Sequence, residues 1–150
     1  MRWPGLTFLI SITFAVLANA QSARVIKVLP HFLDQHGRSA KNPSLFDRDA
    51  YQIELRDNPS KRSALRFNVN WKAKFYDYEN LAVHIEGKGM KGKEPTKLSL
   101  EQPVRAGNFS KWTALTLSAE AYKDFGELIS WRATLRSGTN IVAEQKSFLW

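Results

Sequence analysis

The residues with the most suggestive spacing are Gly87-Lys88-Gly89-Met90-Lys91-Gly92 and the Lys93 that follows them. The pattern G-x-G-x-x-G is half of a dinucleotide-binding fingerprint, in which glycines let a helix N-terminus approach a pyrophosphate. Glu94-Pro95 stands where the fingerprint needs a helix, so we expect no nucleotide site. The pattern instead predicts a flexible hairpin loop over residues 87–96. Its lysines, Lys88, Lys91 and Lys93, are candidate ligands for an anion.

A second group of residues, His31, Asp34 and His36, has the side-chain types of a metal site. In an extended chain His31 points away from the other two, and on a helix His36 leaves the shared face. We therefore predict no metal site there. The chain also has no cysteine, no G-x-S-x-G turn and no H-E-x-x-H helix. We expect no catalytic residues, no enzyme activity and no cofactor.

The tryptophans Trp71 and Trp131 fall in register with apolar rows of their own predicted strands, which indicates core positions. Trp112 and Trp150 are less constrained by their neighbours. An exposed indole can stack on a sugar ring, so Trp112 and Trp150 are the candidate carbohydrate-binding residues.

The element that organises the chain is the strand at residues 65–74, where apolar and polar residues alternate. Its odd positions form an apolar row, because successive strand side chains point to opposite faces. We expect its even positions to face water. The apolar and polar sets are Leu65, Phe67, Val69, Trp71 and Ala73, and Arg66, Asn68, Asn70, Lys72 and Lys74.

Further strands are predicted from β-branched and alternating residues bounded by turn formers. The first ends at Pro30, and His84 lies on the solvent side of the third. The last strand should keep Phe148-Leu149-Trp150 docked in the sheet, because apolar residues favour burial. The predicted strands cover residues 23–29, 81–86, 97–101, 112–117, 129–136 and 141–150, with a turn at 75–80 and a hairpin turn at 137–140.

The segment 44–56 is ambiguous between helix and strand. Ser44 followed by Asp47 resembles a capping box, and Phe46, Ala50 and Ile53 share one helical face. Tyr51, Ile53 and Leu55 also alternate with polar residues, as in a strand. We favour a helix because its start signals are specific. An exposed polar loop at 34–43 precedes it, and a single helical turn is predicted at 119–125.

These elements add up to a mainly β fold of about seven strands, with one short helix after the first strand. An antiparallel β-sandwich of immunoglobulin or fibronectin type III character is the simplest architecture that buries each alternating face. A closed barrel is the alternative. We expect one domain over residues 21–150.

The first twenty residues have the pattern of a secretory signal peptide. Arg2 is their only charge, an apolar run follows, and Ala18-Asn19-Ala20 supplies a cleavage pattern. The apolar run is shorter than the roughly 20 residues of a spanning helix. The sequence thus predicts an exported protein, periplasmic or extracellular, with no transmembrane span in the mature chain.

The formal charge of +8 favours acidic partners, although the basic residues look dispersed along the sequence. The function expected is that of a non-enzymatic binding or structural module in the cell envelope or outside the cell. Its partner is an envelope protein or an acidic polymer. The alternatives are a polyanion- or carbohydrate-binding module and an enzyme with an unrecognised active site.

Overall fold

A computed structural model describes residues 22–74 and 78–150 of the chain. The signal peptide predicted at residues 1–20 lies outside the described residues, as does part of the turn predicted at 75–80. The described part contains seven strands and two α-helices. They are β1 (Ala23–Asp34), α1 (Leu45–Asp57), β2 (Arg62–Ala73), β3 (Leu81–Lys91), β4 (Glu94–Pro103), β5 (Lys111–Leu117), α2 (Ala119–Phe125), β6 (Glu127–Ser137) and β7 (Asn140–Lys146), with a 3-10 turn at Pro59–Lys61.

The strands form two antiparallel sheets, which confirms the predicted β-sandwich. The first sheet has the order β1-β2-β5, and the second sheet has the order β4-β3-β6-β7. Strand β7 approaches β1 and strand β4 approaches β5, so the free edges of the two sheets lie near one another. The helix predicted after the first strand is α1.

The core lies between the sheets and follows the alternation of β2. Phe67, Val69 and Ala73 are completely buried, and Trp71 is 1% exposed. The core cluster includes inward residues of β3 and β6 and the α2 residues Tyr122 and Phe125. The even positions of β2 are less exposed than predicted, since Asn70 is buried and Arg66, Asn68 and Lys72 are only half-exposed.

Helix α1 forms as its capping signals predict, but it buries a different face. The Ser44 hydroxyl accepts a hydrogen bond from the Asp47 backbone N–H at 3.4 Å, which caps the first turn. The buried residues are Tyr51, Gln52 and Leu55, because α1 packs against β1. Phe46 is 82% exposed and Ile53 is 55% exposed. The apolar stripe noted in the sequence therefore faces outward.

Arg62, at the start of β2, fixes the end of α1 to the sandwich. Its side chain is 2% exposed, and its Nε donates to the Leu55 carbonyl oxygen at 2.5 Å. Its other nitrogens donate to the Arg56 carbonyl and to the Glu127 carboxylate. The last carbonyls of a helix have no partner within the helix, and a guanidinium group suits the negative end of the helix dipole.

Strand β1 runs past Pro30 to Asp34, so the predicted end at Pro30 is wrong. Pro30 pairs with Phe67 of β2. β1 is an edge strand, and a proline lacking an N–H is tolerated where the ladder needs no donor.

The flexible loop predicted at 87–96 is mostly ordered strand. β3 continues to Lys91, Gly92-Lys93 forms a two-residue turn, and β4 begins at Glu94. The glycines in β3 allow close packing: a Cβ on Gly87 would lie 2.7 Å from the Leu98 Cγ, and one on Gly89 would lie 2.6 Å from the Phe125 ring. Glycine therefore provides room for neighbouring side chains here.

Three further predictions on the second sheet are wrong. His84 is 6% exposed and bonds the Ser99 hydroxyl at 2.9 Å, so it does not lie on a solvated surface. The pairing of β3 with β6 skips Ile129, which leaves the apolar row and is 50% exposed. Trp131 stays in that row opposite Gly87 and packs against the core, although it is only half-buried. β7 ends at Lys146, and Phe148 is fully exposed, so the last three residues are not docked as a strand.

Candidate functional site

The three lysines of the predicted anion loop point to different surroundings. Lys88 lies in β3, with its Nζ 4.3 Å from the centre of the Trp150 ring. The Lys91 Nζ is 2.9 Å from Asp124 Oδ1 of α2, and Lys93 lies exposed in the turn. The structure gives no common pocket formed by the three of them. Lys88 instead lies beside Trp150 and opposite Lys97 of β4.

The two candidate sugar-stacking tryptophans lie on opposite sheets. Trp112 is in β5 of the first sheet and is 56% exposed. Trp150 follows β7 of the second sheet and is half-buried. The two indoles therefore cannot form one platform, and each has its own lysine neighbours.

The outer side of the first sheet brings together basic residues that are distant in sequence. Arg24 of β1 pairs directly with Lys72 of β2. In the next row, Lys27 pairs with Asn70, which pairs with Trp112 of β5. Directly opposed residues of an antiparallel pair point to the same face, with Cβ atoms about 4.5–5.5 Å apart. We call this surface the basic face; it consists of Arg24, Lys27, Arg66, Lys72 and Trp112.

A β-bulge in β1 assembles the basic face. The pairing passes from Val25–Trp71 to Lys27–Asn70, so Ile26 is an extra residue without a partner. In a regular strand, residues 24 and 27 would lie on opposite faces. The bulge turns Lys27 to the same face as Arg24 and turns Val28 into the core, where it is buried. Bulges redirect side chains in this way and are frequent next to functional sites.

The basic face carries positive charge without compensation. No ion pair involves Arg24, Lys27 or Lys72 within residues 22–74 and 78–150, and Asp34 is the only acidic residue in β1, β2 and β5. Like charges directly opposite, such as Arg24 and Lys72, are unfavourable for the folded sheet. An anion bound between them would remove this repulsion.

The outer side of the second sheet is different, because its two arginines are paired with acids. Arg132 Nε lies 3.0 Å from Glu144 Oε2, and Arg132 Nη1 lies 3.7 Å from Glu86 Oε2. Arg136 Nη2 lies 3.9 Å from the same Glu86 oxygen. Three cations without an ion-pair partner among the described residues, Arg24, Lys27 and Lys72, are thus gathered on one face of the first sheet, whereas the sequence suggested that the positive charge was dispersed.

The positive potential of the basic face extends to the end of the face that lies beneath α1. Burial and the guanidinium groups of Arg48 and Arg66 lower the pKa of His31, with a smaller opposing effect from Asp49. Asp49 is paired with Arg48 at 2.8 Å. Arg66 donates to the Ser39 hydroxyl at 2.8 Å, and its buried Nε has no hydrogen-bond partner among the described residues.

The histidine and aspartate side chains considered for a metal have other partners. His31 Nδ1 and Asn68 Nδ2 are 2.9 Å apart. Asp34 accepts the Tyr51 hydroxyl at 2.8 Å and the backbone N–H groups of His36 and Arg38. Asp34 closes the loop after β1 and bonds α1 to it, which is a structural role.

Sequence reasoning missed Arg24 and Lys27 as site residues. The alternation rule places them on opposite faces, and only the pairing of β1 with β2 reveals the bulge. Arg24 and Lys27 stand next to β-branched residues in the sequence, but this pattern does not indicate that the two side chains share a surface. Trp112 is 56% exposed, and its role in carbohydrate binding stays a prediction.

No helix in the described part of the chain has the length and apolar character needed to cross a membrane. Comparison with protein-family models, with curated proteins and with solved structures gave no match.

Proposed function

We propose that this chain is an exported, non-enzymatic binding domain that holds an acidic polysaccharide on the basic face. The observation that carries the proposal is the bulge in β1, which places Arg24 and Lys27 beside Lys72 without a neighbouring acid from the same sheet. Carboxylate or sulfate groups of the polymer would bind these cations. The pairing Lys27–Asn70–Trp112 adds an amide and an indole to the same row.

The indole of Trp112 favours a polymer of rings over a simple anion. Trp112 is 56% exposed at the free side of β5, where its ring can stack on a sugar. Strands β1 and β5 lie on either side of β2, so Lys27 and Trp112 are about 10 Å apart at the backbone, two strand spacings. This spacing lets one extended chain contact the cations and the indole together.

Export favours a polysaccharide over a nucleic acid as the acidic partner. The support for export is the charged start, the apolar run and the small residues Ala18 and Ala20 of the N-terminal segment. An exported domain meets the acidic polymers of the envelope or of the extracellular matrix. Single-stranded nucleic acid shares the chemistry of charge and stacking, so it is a comparison ligand in the test.

The test measures the affinity for heparin, as an acidic polysaccharide, at several salt concentrations. The variant Arg24→Gln/Lys27→Gln/Lys72→Gln should lower the log-log salt slope by about 2 to 3, because each neutralised anion releases counterions. Trp112→Ala should weaken binding and leave the slope unchanged, because the indole carries no charge.

The matched control is Lys93→Gln/Lys123→Gln/Lys146→Gln. It removes the same charge from exposed lysines that form no ion pair among the described residues and lie outside the basic face. Equal losses in the two triple variants would refute the basic face as the site. A higher affinity for single-stranded DNA than for heparin would refute the polysaccharide.

A further inference from the structure

A pocket lies on the second sheet, where the chain turns back after β7. Ser147 continues the ladder, since its N–H donates to the Trp131 carbonyl at 2.9 Å and its hydroxyl accepts the Trp131 N–H at 3.0 Å. The Trp150 N–H then donates to the Ser147 carbonyl at 3.2 Å, closing a turn over residues 147–150. This turn places the Trp150 indole over the outer side of β3. The indole forms one wall of a pocket of about 410 Å³.

Two lysines give this pocket positive charge. Lys88 of β3 pairs directly with Lys97 of β4, so both ammonium groups leave the sheet on the same face. Lys88 lies against the Trp150 ring, and neither lysine has an ion-pair partner within the described ranges of the chain. The repulsion between two opposed cations would be relieved by one anionic group between them.

The pocket is also lined by one carboxylate, that of Glu86. Glu86 Oε2 is buried and has no hydrogen bond among the residues that the structure describes. The guanidinium groups of Arg132 and Arg136 stand 3.7 and 3.9 Å from it, which is within ion-pair distance but too far for a hydrogen bond. The Glu86 side chain as a whole is 33% exposed and lines the pocket, so its carboxylate can accept a hydrogen bond from a ligand hydroxyl.

We infer that the pocket formed by Glu86, Lys88, Lys97 and Trp150 binds a sugar acid. The anionic group would lie between the two ammonium groups, the ring would pack on the indole, and a hydroxyl would donate to Glu86. Each feature of the pocket selects one feature of the ligand: a negative charge, a ring and a hydroxyl donor. This site is separate from the basic face and lies on the other sheet.

The experiment follows the indole N–H signal of Trp150 by NMR while glucuronate is added to the full chain. Glucuronate should shift this signal with saturation at millimolar concentrations. Glucose, which has no charge, and cyclohexanecarboxylate, which has no hydroxyls, should bind more weakly. Trp150→Phe identifies the signal. An absence of any shift with glucuronate, or equal affinities for the three ligands, would overturn the inference.

Variants locate the binding on the lysine pair. Lys97→Gln should weaken glucuronate binding by about tenfold, because a charged hydrogen bond is lost, and Lys97→Arg should retain most of it. Lys146→Gln is the matched control, since Lys146 lies on the same side of the sheet but outside the pocket, and it should change the affinity by less than about twofold. Equal affinities of Lys97→Gln and the unmodified chain would overturn the site.

Two comparisons separate this site from the basic face and identify the source of the ligand. The variant Arg24→Gln/Lys27→Gln/Lys72→Gln should bind glucuronate as tightly as the unmodified chain does, even though its affinity for heparin is lower. A parallel loss would place glucuronate on the first sheet and overturn the pocket. A uronate-terminated oligosaccharide that binds more tightly than free glucuronate would support a polymer end as the ligand, and an equal affinity would support the free sugar acid.

Discussion

The side chain of Gln52 completes the hydrogen bonding of the edge strand at Phe32. The Gln52 Oε1 accepts the Phe32 N–H at 2.8 Å, and its Nε2 donates to the Phe32 carbonyl at 3.0 Å. A second hydrogen bond runs from Nε2 to the Ser39 carbonyl at 2.8 Å. A free strand edge is a template for pairing with another chain, and Gln52 occupies this edge from within the same molecule.

Gln52→Ala should destabilise the fold by about 2–4 kcal/mol, because the Phe32 groups lose their partners in a buried place. Gln52→Glu can still accept the Phe32 N–H but cannot donate, so it should have an intermediate stability. Urea denaturation measures both. The control Gln35→Ala removes an exposed amide whose contacts are 3.4 Å long, and it should cost less than about 0.5 kcal/mol. Similar midpoints for Gln52→Ala and Gln35→Ala would contradict the role of Gln52.

Trp71→Ala should cost more stability than Trp131→Ala. Trp71 is 1% exposed and donates its indole N–H to the Thr113 hydroxyl at 2.8 Å, so truncation leaves a cavity and an unpaired hydroxyl. We expect a loss of about 3–5 kcal/mol for Trp71 and about 1–2 kcal/mol for the half-buried Trp131. Denaturant melts give the comparison. Equal losses would show that Trp131 is as deep in the core as the alternation of β6 predicts.

The carboxylate of Asp34 should make stability depend on pH in the acid range. Burial alone would raise its pKa, but hydrogen bonds from the Arg38 N–H, the Tyr51 hydroxyl and the His36 N–H outweigh burial and hold the pKa well below its ordinary value of 3.8. The unfolded chain therefore takes up this proton first as the pH falls. The stabilisation is present above about pH 4 and is lost below it.

Asp34→Asn should be less stable at neutral pH by about 2–3 kcal/mol, and its difference from the unmodified chain should shrink as the pH falls below 3.8. Thermal melts over this pH range test it. Asp57→Asn, at the exposed end of α1, is the control and should change the stability at neutral pH by less than about 0.5 kcal/mol. A constant difference at every pH would refute the assignment.

His84 should add a second pH effect at higher pH. Burial, and then the charge of Arg136, lower the pKa of His84 below 6.5. Because the unfolded chain binds this proton more readily, stability should decrease as the pH falls from 6.5 toward the lowered pKa. His84→Gln, which can still bond Ser99, should reduce this decrease. The same pH dependence of stability in His84→Gln and in the unmodified chain would contradict this prediction.

Export should remove the first twenty residues. Mass spectrometry of the exported protein should give a chain that begins at Gln21, because Ala18 and Ala20 satisfy the small-residue pattern of the cleavage site. Ala20→Arg should block cleavage at this position. Recovery of the intact Met1 form outside the cytoplasm would refute the prediction.

Several parts of the fold could be predicted from the sequence because they depend on local physics. The alternation at 65–73 fixed the inward face of β2, since period 2 is a property of any strand. The serine before each helix also acts locally: Ser118 caps α2 as Ser44 caps α1. Ser137 and Asn140 flank the hairpin turn where turn formers predicted it.

Other features were decided only by tertiary structure, because they depend on what lies opposite. Helix α1 buries Tyr51 and Leu55, although Phe46 and Ile53 form an equally apolar stripe, since the edge of β1 is polar and takes Gln52. Glycine at 87 and 89 predicted flexibility, yet the space they leave is filled by Leu98 and Phe125. Packing partners are not encoded in a single segment.

The two proposed sites also depend on contacts that a single segment of sequence does not encode. Trp112, Trp150 and Lys88 were named from the sequence, because residue type alone makes an indole or a lysine a candidate. Their division between two sheets follows from the strand order, which sequence spacing does not give. Arg24 and Lys27 share a face only because Ile26 is bulged out. One extra residue reverses the face to which every later side chain of a strand points. Only the pairing with the neighbouring strand shows where the extra residue lies.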